Sequence, residues 1–596
     1  MASQSMANLN SLWGSLLIEE LIRNGGDYFC LAPGSRSSPL AVAVGLNRKA
    51  KSFVHYDERG LGFHALGFVA ATNRPVVLIS TSGTAAANFL PAIIEASKKK
   101  LPLIILTSDR PPELRKTGAD QTIDQVGLYG DYVRWQFDMP CPDGHIKPAF
   151  VLTTVDQAVF RALGSPPGPV HLNCMFREPL VVASLRGVPV GLAMTNWKKS
   201  NAPFTQYISS STTLDHEKIK NLAATINSIK NGIIVVGKLN HDKEREAVCR
   251  FSRKLCWPVF PDITSGLRSS TQADNIIHYY DQLLLSEKII ARLNCDGVIH
   301  FGGRITSKRW YQFTERQTPR DYIMVLNHPL RNDPLHNVTM RVEAKAAEFC
   351  QTILPAINER QDSNRIFLWQ NLSKKVHAVL ESSTNTKRNL NEPMVARLIS
   401  KHIPQDSGLF LASSMPIREM DMFASKDGNS VVVGSNRGAS GIDGTIASAA
   451  GFALGLNKPV TLLIGDLAAL HDLNSLAMLK NLVKPLVMVI LNNNGGGIFS
   501  FLPIARFDKV FEKYFGTPHD LDFNHAAQMF DLNYFAPKSA DAFKKIYRSA
   551  FARKNSTVIE IKSDRKRNLT VHQELQKKII KTIAPSFNPP HRGGNH

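Results

Sequence analysis

Two short segments near the C-terminus carry residue types suited to holding a metal and a phosphate. Val460–Ile464 is followed by Gly465-Asp466, and a later apolar run ends in Asn492-Asn493-Asn494-Gly495-Gly496-Gly497. The carboxylate of Asp466, the side-chain amide oxygen of Asn493 and the backbone carbonyl of Gly495 make three hard oxygen ligands. Two diphosphate oxygens and a water would complete an octahedral Mg²⁺ site. The glycines would let the backbone approach the phosphates. Alone, Gly-Asp reads as a strand-ending turn and the Asn/Gly run as a loop; one βαβ unit apart, the two together are more specific. A further carboxylate, Glu58, lies in Val54-His55-Tyr56-Asp57-Glu58-Arg59-Gly60, a strand end running into a helix. It is open to two readings: a functional acid, or an acidic residue favouring a helix N-terminus.

The elements that must position these groups read as βαβ units: short Val/Ile/Leu runs separated by segments of helical length. Gly67-Phe-Val-Ala-Ala-Thr-Asn73-Arg-Pro75-Val matches Gly451-Phe-Ala-Leu-Gly-Leu-Asn457-Lys-Pro459-Val without a gap. Each copy continues through a helical segment to a second strand introduced by a proline, Pro102 or Pro485. In the second copy, Leu473, Leu476, Leu479 and Leu482 would share one helix face. A third α/β pattern lies between the copies, with candidate strands Gly232–Val236, Gly297–Phe301 and Tyr322–Leu326. The expectation is an α/β chain of three Rossmann-like parallel-sheet domains, the first and third related by duplication, spanning 1–195, 205–365 and 366–596. Polar stretches near 197–213 and 361–365 are the expected linkers.

Composition narrows the class. The 596 residues carry a net charge of +21, which reads either as a solvated basic surface or as attraction for anions. The dense basic runs, Lys98–Lys100 and Lys562 to Lys581, lack any zinc-finger, RNP or basic-zipper pattern, so nucleic acid is not expected as a partner. The seven cysteines are scattered and never spaced CxxC, which suits a reducing compartment. Glu19 and Glu20 interrupt the apolar stretch near the N-terminus, so no secretory signal is expected, and no run is long enough to cross a bilayer. No GxGxxG follows a strand, and there is no P-loop and no GxSxG elbow.

The Gly-Asp…Asn-Asn spacing resembles the thiamine-diphosphate motif, with Leu467 where Gly is usual. Leu31-Ala-Pro-Gly-Ser-Arg-Ser-Ser-Pro39, Asp57–Phe63, Thr107–Glu113, Ser435–Gly444 and Asn492–Phe499 resemble the 2-succinyl-5-enolpyruvyl-6-hydroxy-3-cyclohexene-1-carboxylate synthase family of menaquinone biosynthesis. Leu467 matches what that family shows. The resemblance implies a transferase that uses thiamine diphosphate and Mg²⁺, with Mn²⁺ as a substitute, to decarboxylate 2-oxoglutarate. The succinyl carbanion equivalent then adds 1,4 to isochorismate. It implies Glu58 as the acid on N1′ of the coenzyme's pyrimidine, with Ser440, Gly441, Ile442, Asp466, Leu467, Asn493, Gly495, Gly496 and Ile498 around the coenzyme. Ser35, Arg36, Arg110, Gln121, Lys308, Arg309, Ser414, Arg418 and Arg437 would hold substrate, arginine being suited to bidentate carboxylate pairing. For any one of these cations taken alone, a surface ion pair is the competing reading. Phe499 and Leu502 would join Ile498 in an apolar wall, although core packing is the preferred reading of Leu502. The resemblance also implies a homodimer or homotetramer with the active site between subunits, in the cytoplasm. The basic surface would also suit a peripheral position at the membrane. The alternative is another thiamine-dependent 2-oxo acid decarboxylase or carboligase of the acetolactate synthase type.

Overall fold

Buried Val, Ile and Leu along both faces make the strands, as parallel sheets covered by helices require. The computed structural model describes residues 2–181, 195–208, 215–268, 273–361, 363–384, 390–480 and 482–584. The first sheet holds β1 (Tyr28–Leu31), β2 (Lys51–Val54), β3 (Val76–Ser80), β4 (Leu103–Asp109), β5 (Trp135–Met139) and β6 (Val170–Met175). Its order is β2-β1-β3-β4-β6-β5, parallel throughout. The middle sheet holds β7 (Gly232–Val236), β8 (Val259–Pro261), β9 (Gly297–Phe301), β10 (Asp321–Leu326) and β11 (Met340–Glu343), ordered β11-β10-β9-β7-β8. The third holds β12 (Gly408–Leu411), β13 (Val432–Ser435), β14 (Val460–Gly465), β15 (Leu486–Asn492), β16 (Asn533–Phe535) and β17 (Thr557–Lys562).

The third sheet runs β13-β12-β14-β15-β17-β16, the same winding as the first. Its register is also the same: Val76 pairs with Leu103 directly after Pro75 and Pro102, and Val460 pairs with Leu486 directly after Pro459 and Pro485. The matched asparagines end matched helices. Asn73 closes the helix Glu58–Thr72 with φ 55°, and Asn457 closes Thr445–Leu456 with φ 52°, left-handed positions that Asn tolerates. The two helices cross at the matched glycines. A Cβ on Gly67 would stand 1.9 Å from the Ser448 carbonyl oxygen, and one on Gly451 1.9 Å from that of His64. Through this crossing the outer domains share one hydrophobic core, which includes Tyr28, Phe63, Phe410, Phe452 and Ile490.

Three expectations change. The segment after β14 is a helix Asp466–His471 followed by a 3₁₀ stretch Leu473–Leu479, not one α-helix reaching Leu482. The break falls at buried Asp472, whose carboxylate accepts from Ala447 N at 3.0 Å and Ser475 Oγ at 2.7 Å. The 197–213 stretch is partly docked: Trp197 donates to Glu20 and stacks under Arg23, while 209–213 lies outside the described residues. Arg365 belongs to a helix, Ser363–Thr384, that packs on the middle domain through Trp369, Leu372 and Val376; residue 362 also lies outside the described residues. No helix among the described residues is long and apolar enough to cross a membrane.

Candidate active site

The ends of β14 and β15 bring Asp466, Asn493 and Gly495 together, in the crevice where open α/β sheets bind ligands. Asp466 is buried. Its Oδ2 accepts from Gly495 N at 2.8 Å and its Oδ1 from Leu467 N at 2.7 Å. His519 Nδ1 accepts from Leu521 N, which leaves the ring proton on Nε2, 3.3 Å from Asp466 Oδ2. The three asparagines divide their work. Asn492 Oδ1 accepts from Asn494 N, and its Nδ2 donates to Leu521 O and Glu560. Asn494 Oδ1 accepts from the amides of His519 and Asp520. Asn493 Nδ2 donates to Glu392 Oε1 at 2.9 Å, while its buried Oδ1 has no hydrogen-bond partner among the described residues.

An orphaned buried oxygen is costly unless something outside the chain satisfies it, so this donor set fits a hard cation. Room is available as well: a Cβ on Gly465 would meet nothing within 4 Å. Gly495 has a different use from the expected approach to phosphate. With φ 130°, its missing Cβ makes room for the Gly516 carbonyl, 1.9 Å from where that atom would sit. Its own carbonyl accepts from Gly497 N at 2.9 Å and keeps a second lone pair.

Behind Asn493, Glu392 is fully buried and also accepts from Ser563 Oγ at 3.1 Å. Burial, and then the neighbouring Glu419 carboxylate, push Glu392 up to about 7.

Glu58 opens the helix Glu58–Thr72, and Asp57 is its N-cap, accepting from Gly60 N at 3.2 Å. Both acids of the pair therefore sit at the helix N-terminus, Asp57 as its cap and Glu58 in its first turn. Half-buried Glu58 accepts from Asn88 Nδ2 at 3.3 Å, and no hydrogen bond among the described residues joins it to Asp466 or Asn493. Next to it Arg59 bonds the carbonyl of His471, in the helix that Asp466 begins, at 3.0 Å. Val54 and Tyr56, just before it, are 61% and 63% exposed.

The predicted substrate residues fall into two cationic groups. In the first domain, Arg36 is buried, bonded to Phe176 O and Glu178, and its pKa is lowered by burial and by nearby Arg110. Arg110 reaches Ser82 Oγ at 3.3 Å; Ser35 and Gln121 are exposed, with the Gln121 backbone beside Gly83. The second group is built from the other two domains. Arg418 bonds the Ser414 carbonyl. Burial, then Arg304 and Arg418, push Arg437 down to about 10. Arg304 itself donates to Ser440 Oγ at 3.3 Å. Lys308 is exposed, whereas Arg309 is paired with Asp281.

The apolar residues are not core. Ile442 and Leu502 are each 39% exposed, and Ile498 and Phe499 are half-buried. The preferred core reading of Leu502 is thereby overturned: it follows the short helical turn Gly497–Phe501 at the surface.

Models of three families match successive parts of the chain. The thiamine pyrophosphate enzyme N-terminal TPP binding domain covers residues 13–128, the middle domain of thiamine pyrophosphate 191–411, and the C-terminal TPP binding domain 419–561. A 2-succinyl-5-enolpyruvyl-6-hydroxy-3-cyclohexene-1-carboxylate synthase of Rubrobacter xylanophilus is 47% identical over 566 residues, 95% of this chain and 98% of that protein. The protein of the same name from Salinibacter ruber is 42% identical across 98% of this chain and all of its own length. The chain belongs to this synthase family.

Within this synthase, several site-forming residues carry no sequence signal of their own. Arg304 stands with Arg418 and Arg437, and Glu392 and His519 contact Asn493 and Asp466. Asp109, Gln125 and Asn173 form a buried network under the first cation group. There Asp109 Oδ1 accepts from Arg110 N at 2.7 Å, and Gln125 Oε1 accepts from Gly83 N at 2.8 Å. Asn173 Nδ2 bonds Asp109 at 2.9 Å, and its Oδ1 accepts from Gln125 at 3.0 Å.

Proposed function

We propose that this chain decarboxylates 2-oxoglutarate and adds the succinyl unit to isochorismate, using thiamine diphosphate and Mg²⁺ or Mn²⁺. The observation that carries this reading is the pairing of Asp466 with the unsatisfied Asn493 Oδ1 at adjacent strand ends, in a chain 47% identical over its length to a named synthase. Asp466, Asn493 and the Gly495 carbonyl hold the metal. Ser440, Gly441, Ile442, Leu467, Gly496 and Ile498 surround the coenzyme. When bound, thiamine diphosphate supplies the nucleophilic carbon and the electron sink for CO₂ loss. Glu58 hydrogen-bonds the pyrimidine N1′ and sets its protonation.

Arg36, Arg110, Lys308, Arg418 and Arg437, with Ser35, Gln121 and Ser414, hold the substrate carboxylates; Arg309 acts while tied to Asp281. Phe499 and Leu502, with Ile498, exclude water from the reacting carbon, which favours loss of charge there. Two chains complete the site, in a homodimer or a dimer of dimers. Two observations support that arrangement: among the described residues no hydrogen bond joins Glu58 to Asp466 or Asn493, and Val54 and Tyr56 beside Glu58 are exposed. We keep the division 1–195, 205–365 and 366–596, with one sheet in each part and its last boundary inside the helix Ser363–Thr384, and a cytoplasmic location.

The test is a mass-spectrometric assay with isochorismate, 2-oxoglutarate, thiamine diphosphate and Mg²⁺, omitting each in turn. Adduct and CO₂ from the complete mixture alone are expected. Efficient pyruvate turnover with no isochorismate-dependent product would instead assign the acetolactate-synthase type.

A further inference from the structure

The loop between β13 and the helix Thr445–Leu456 carries Arg437, Ser440, Gly441 and Ile442, and a different domain fixes its first turn. Glu95 lies on the helix Leu90–Lys99 of the first domain and is 2% exposed. Its two carboxylate oxygens accept from successive amides of the loop, Oε1 from Gly438 N at 2.7 Å and Oε2 from Ala439 N at 2.5 Å. One turn along the same helix, Lys99 Nζ donates to the Ser435 carbonyl at 2.7 Å. The helix lies directly on the loop, since a Cβ on Gly438 would stand 2.9 Å from the Glu95 carbonyl oxygen.

A buried carboxylate is tolerated only where hydrogen bonds replace its water. Here both of its oxygens are answered by two N–H groups that point the same way only in this turn. Charge-assisted bonds of this kind are about twice as strong as neutral ones. Holding the turn at 438–439 fixes the residues on either side of it, Arg437 before and Ser440 after.

We propose that Glu95 is a positioning residue for the reaction: from the first domain, it holds the loop of the third so that Arg437 meets substrate and Ser440 meets coenzyme. This rests on the assignment of that loop to substrate and coenzyme. Glu95→Gln keeps one carbonyl acceptor and turns an NH₂ toward the second amide. Glu95→Asp keeps the charge but falls one methylene short.

The experiment compares wild type, Glu95→Gln and Glu95→Asp as full-length, cofactor-loaded enzyme, by hydrogen–deuterium exchange and by steady-state kinetics. Expected for Glu95→Gln are exchange in the 435–442 peptide at least about 10-fold faster, other peptides unchanged, and KM for 2-oxoglutarate raised about 10-fold with kcat within about 3-fold. Glu95→Asp should recover part of both. Unchanged loop exchange would overturn the proposal, as would a loosened loop with unaltered KM. Wild-type enzyme inactive on 2-oxoglutarate would overturn the functional assignment instead, and the exchange comparison, which needs no turnover, would still decide whether Glu95 holds the loop.

Discussion

Glu392 offers a way to perturb the metal site without touching a ligand. A side-chain amide fits its density of neighbours in two orientations, and only one presents oxygen to a cation. Here the choice is made by Glu392 Oε1, which takes the Asn493 NH₂ at 2.9 Å and leaves Oδ1 free. Glu392→Leu, similar in size but without an acceptor, removes that preference and strands the Ser563 hydroxyl as well. With its pKa raised to about 7, Glu392 is only partly ionised near neutral pH, so the bond contributes about 1–2 kcal/mol, between a neutral bond and one to a full charge. If all of it is spent on amide orientation, the competent orientation becomes about 5–30-fold rarer, reaching into the range in which loss of a ligand's supporting partner weakens metal binding. Titrating Mn²⁺ in the presence of thiamine diphosphate, with free Mn²⁺ followed by EPR, should show that loss for Glu392→Leu. Glu392→Gln keeps a carbonyl acceptor and should stay within about 3-fold. Wild-type Mn²⁺ affinity in a folded Glu392→Leu protein would refute the orienting role, and a Gln variant as impaired as Leu would show that charge, not the acceptor, is what counts.

Glu58→Gln should leave the circular dichroism spectrum unchanged and lower kcat by about 100-fold or more; near-wild-type turnover would remove Glu58 from the chemistry. His64 is buried with a pKa lowered to about 3 by burial and then by His55, so the folded state excludes a proton that the unfolded chain takes up below about 6.5. Its contribution is whole above pH 6.5 and is lost as pH falls toward 3. Between pH 7.5 and 5, wild type should therefore lose about 2 kcal/mol relative to His64→Gln in urea unfolding, and parallel pH slopes would contradict this. Gly67→Ala, with its Cβ aimed at the Ser448 carbonyl, should cost about 1–3 kcal/mol or more, seen as a lowered melting temperature. Gly45→Ala, where the added Cβ meets nothing within 4 Å inside the helix Ser38–Leu46, is the control and should melt at or slightly above wild type.

The sequence was most legible where a side chain's task is tied to the strand that carries it. Strands β7 and β9 fall on the residues expected for them, because short apolar runs buried on both faces stand out from their polar flanks, even with one buried polar residue, His300, in β9. Asp466 and Asn493 were legible for a related reason: each sits one step beyond a strand whose end is marked by the switch from apolar to polar. Glu392 stands 101 residues before Asn493, and Glu95 343 residues before Gly438. Bonds of that span leave no local spacing, and a lone Glu on an amphipathic helix looks like surface. Periodicity failed at Leu473–Leu482 because Asp472 spends its carboxylate on a neighbouring helix and breaks the turn. The core reading of Leu502 failed because apolar character alone does not say whether a residue is buried.

The glycine crossing between the two outer domains has one further consequence. Its contacts are reciprocal: Gly67 meets Ser448 and Phe452, and Gly451 meets His64 and Phe68, the matching residues of the other copy. Such a contact has the self-complementarity of an interface between identical partners, here folded into a single chain. Neither copy can drift alone at these positions, since a methyl group gained on one helix is a collision for its twin. The gapless match between the two halves thus includes the positions where the halves touch, while their strand ends differ, Thr81-Ser82 in one and Gly465-Asp466 in the other.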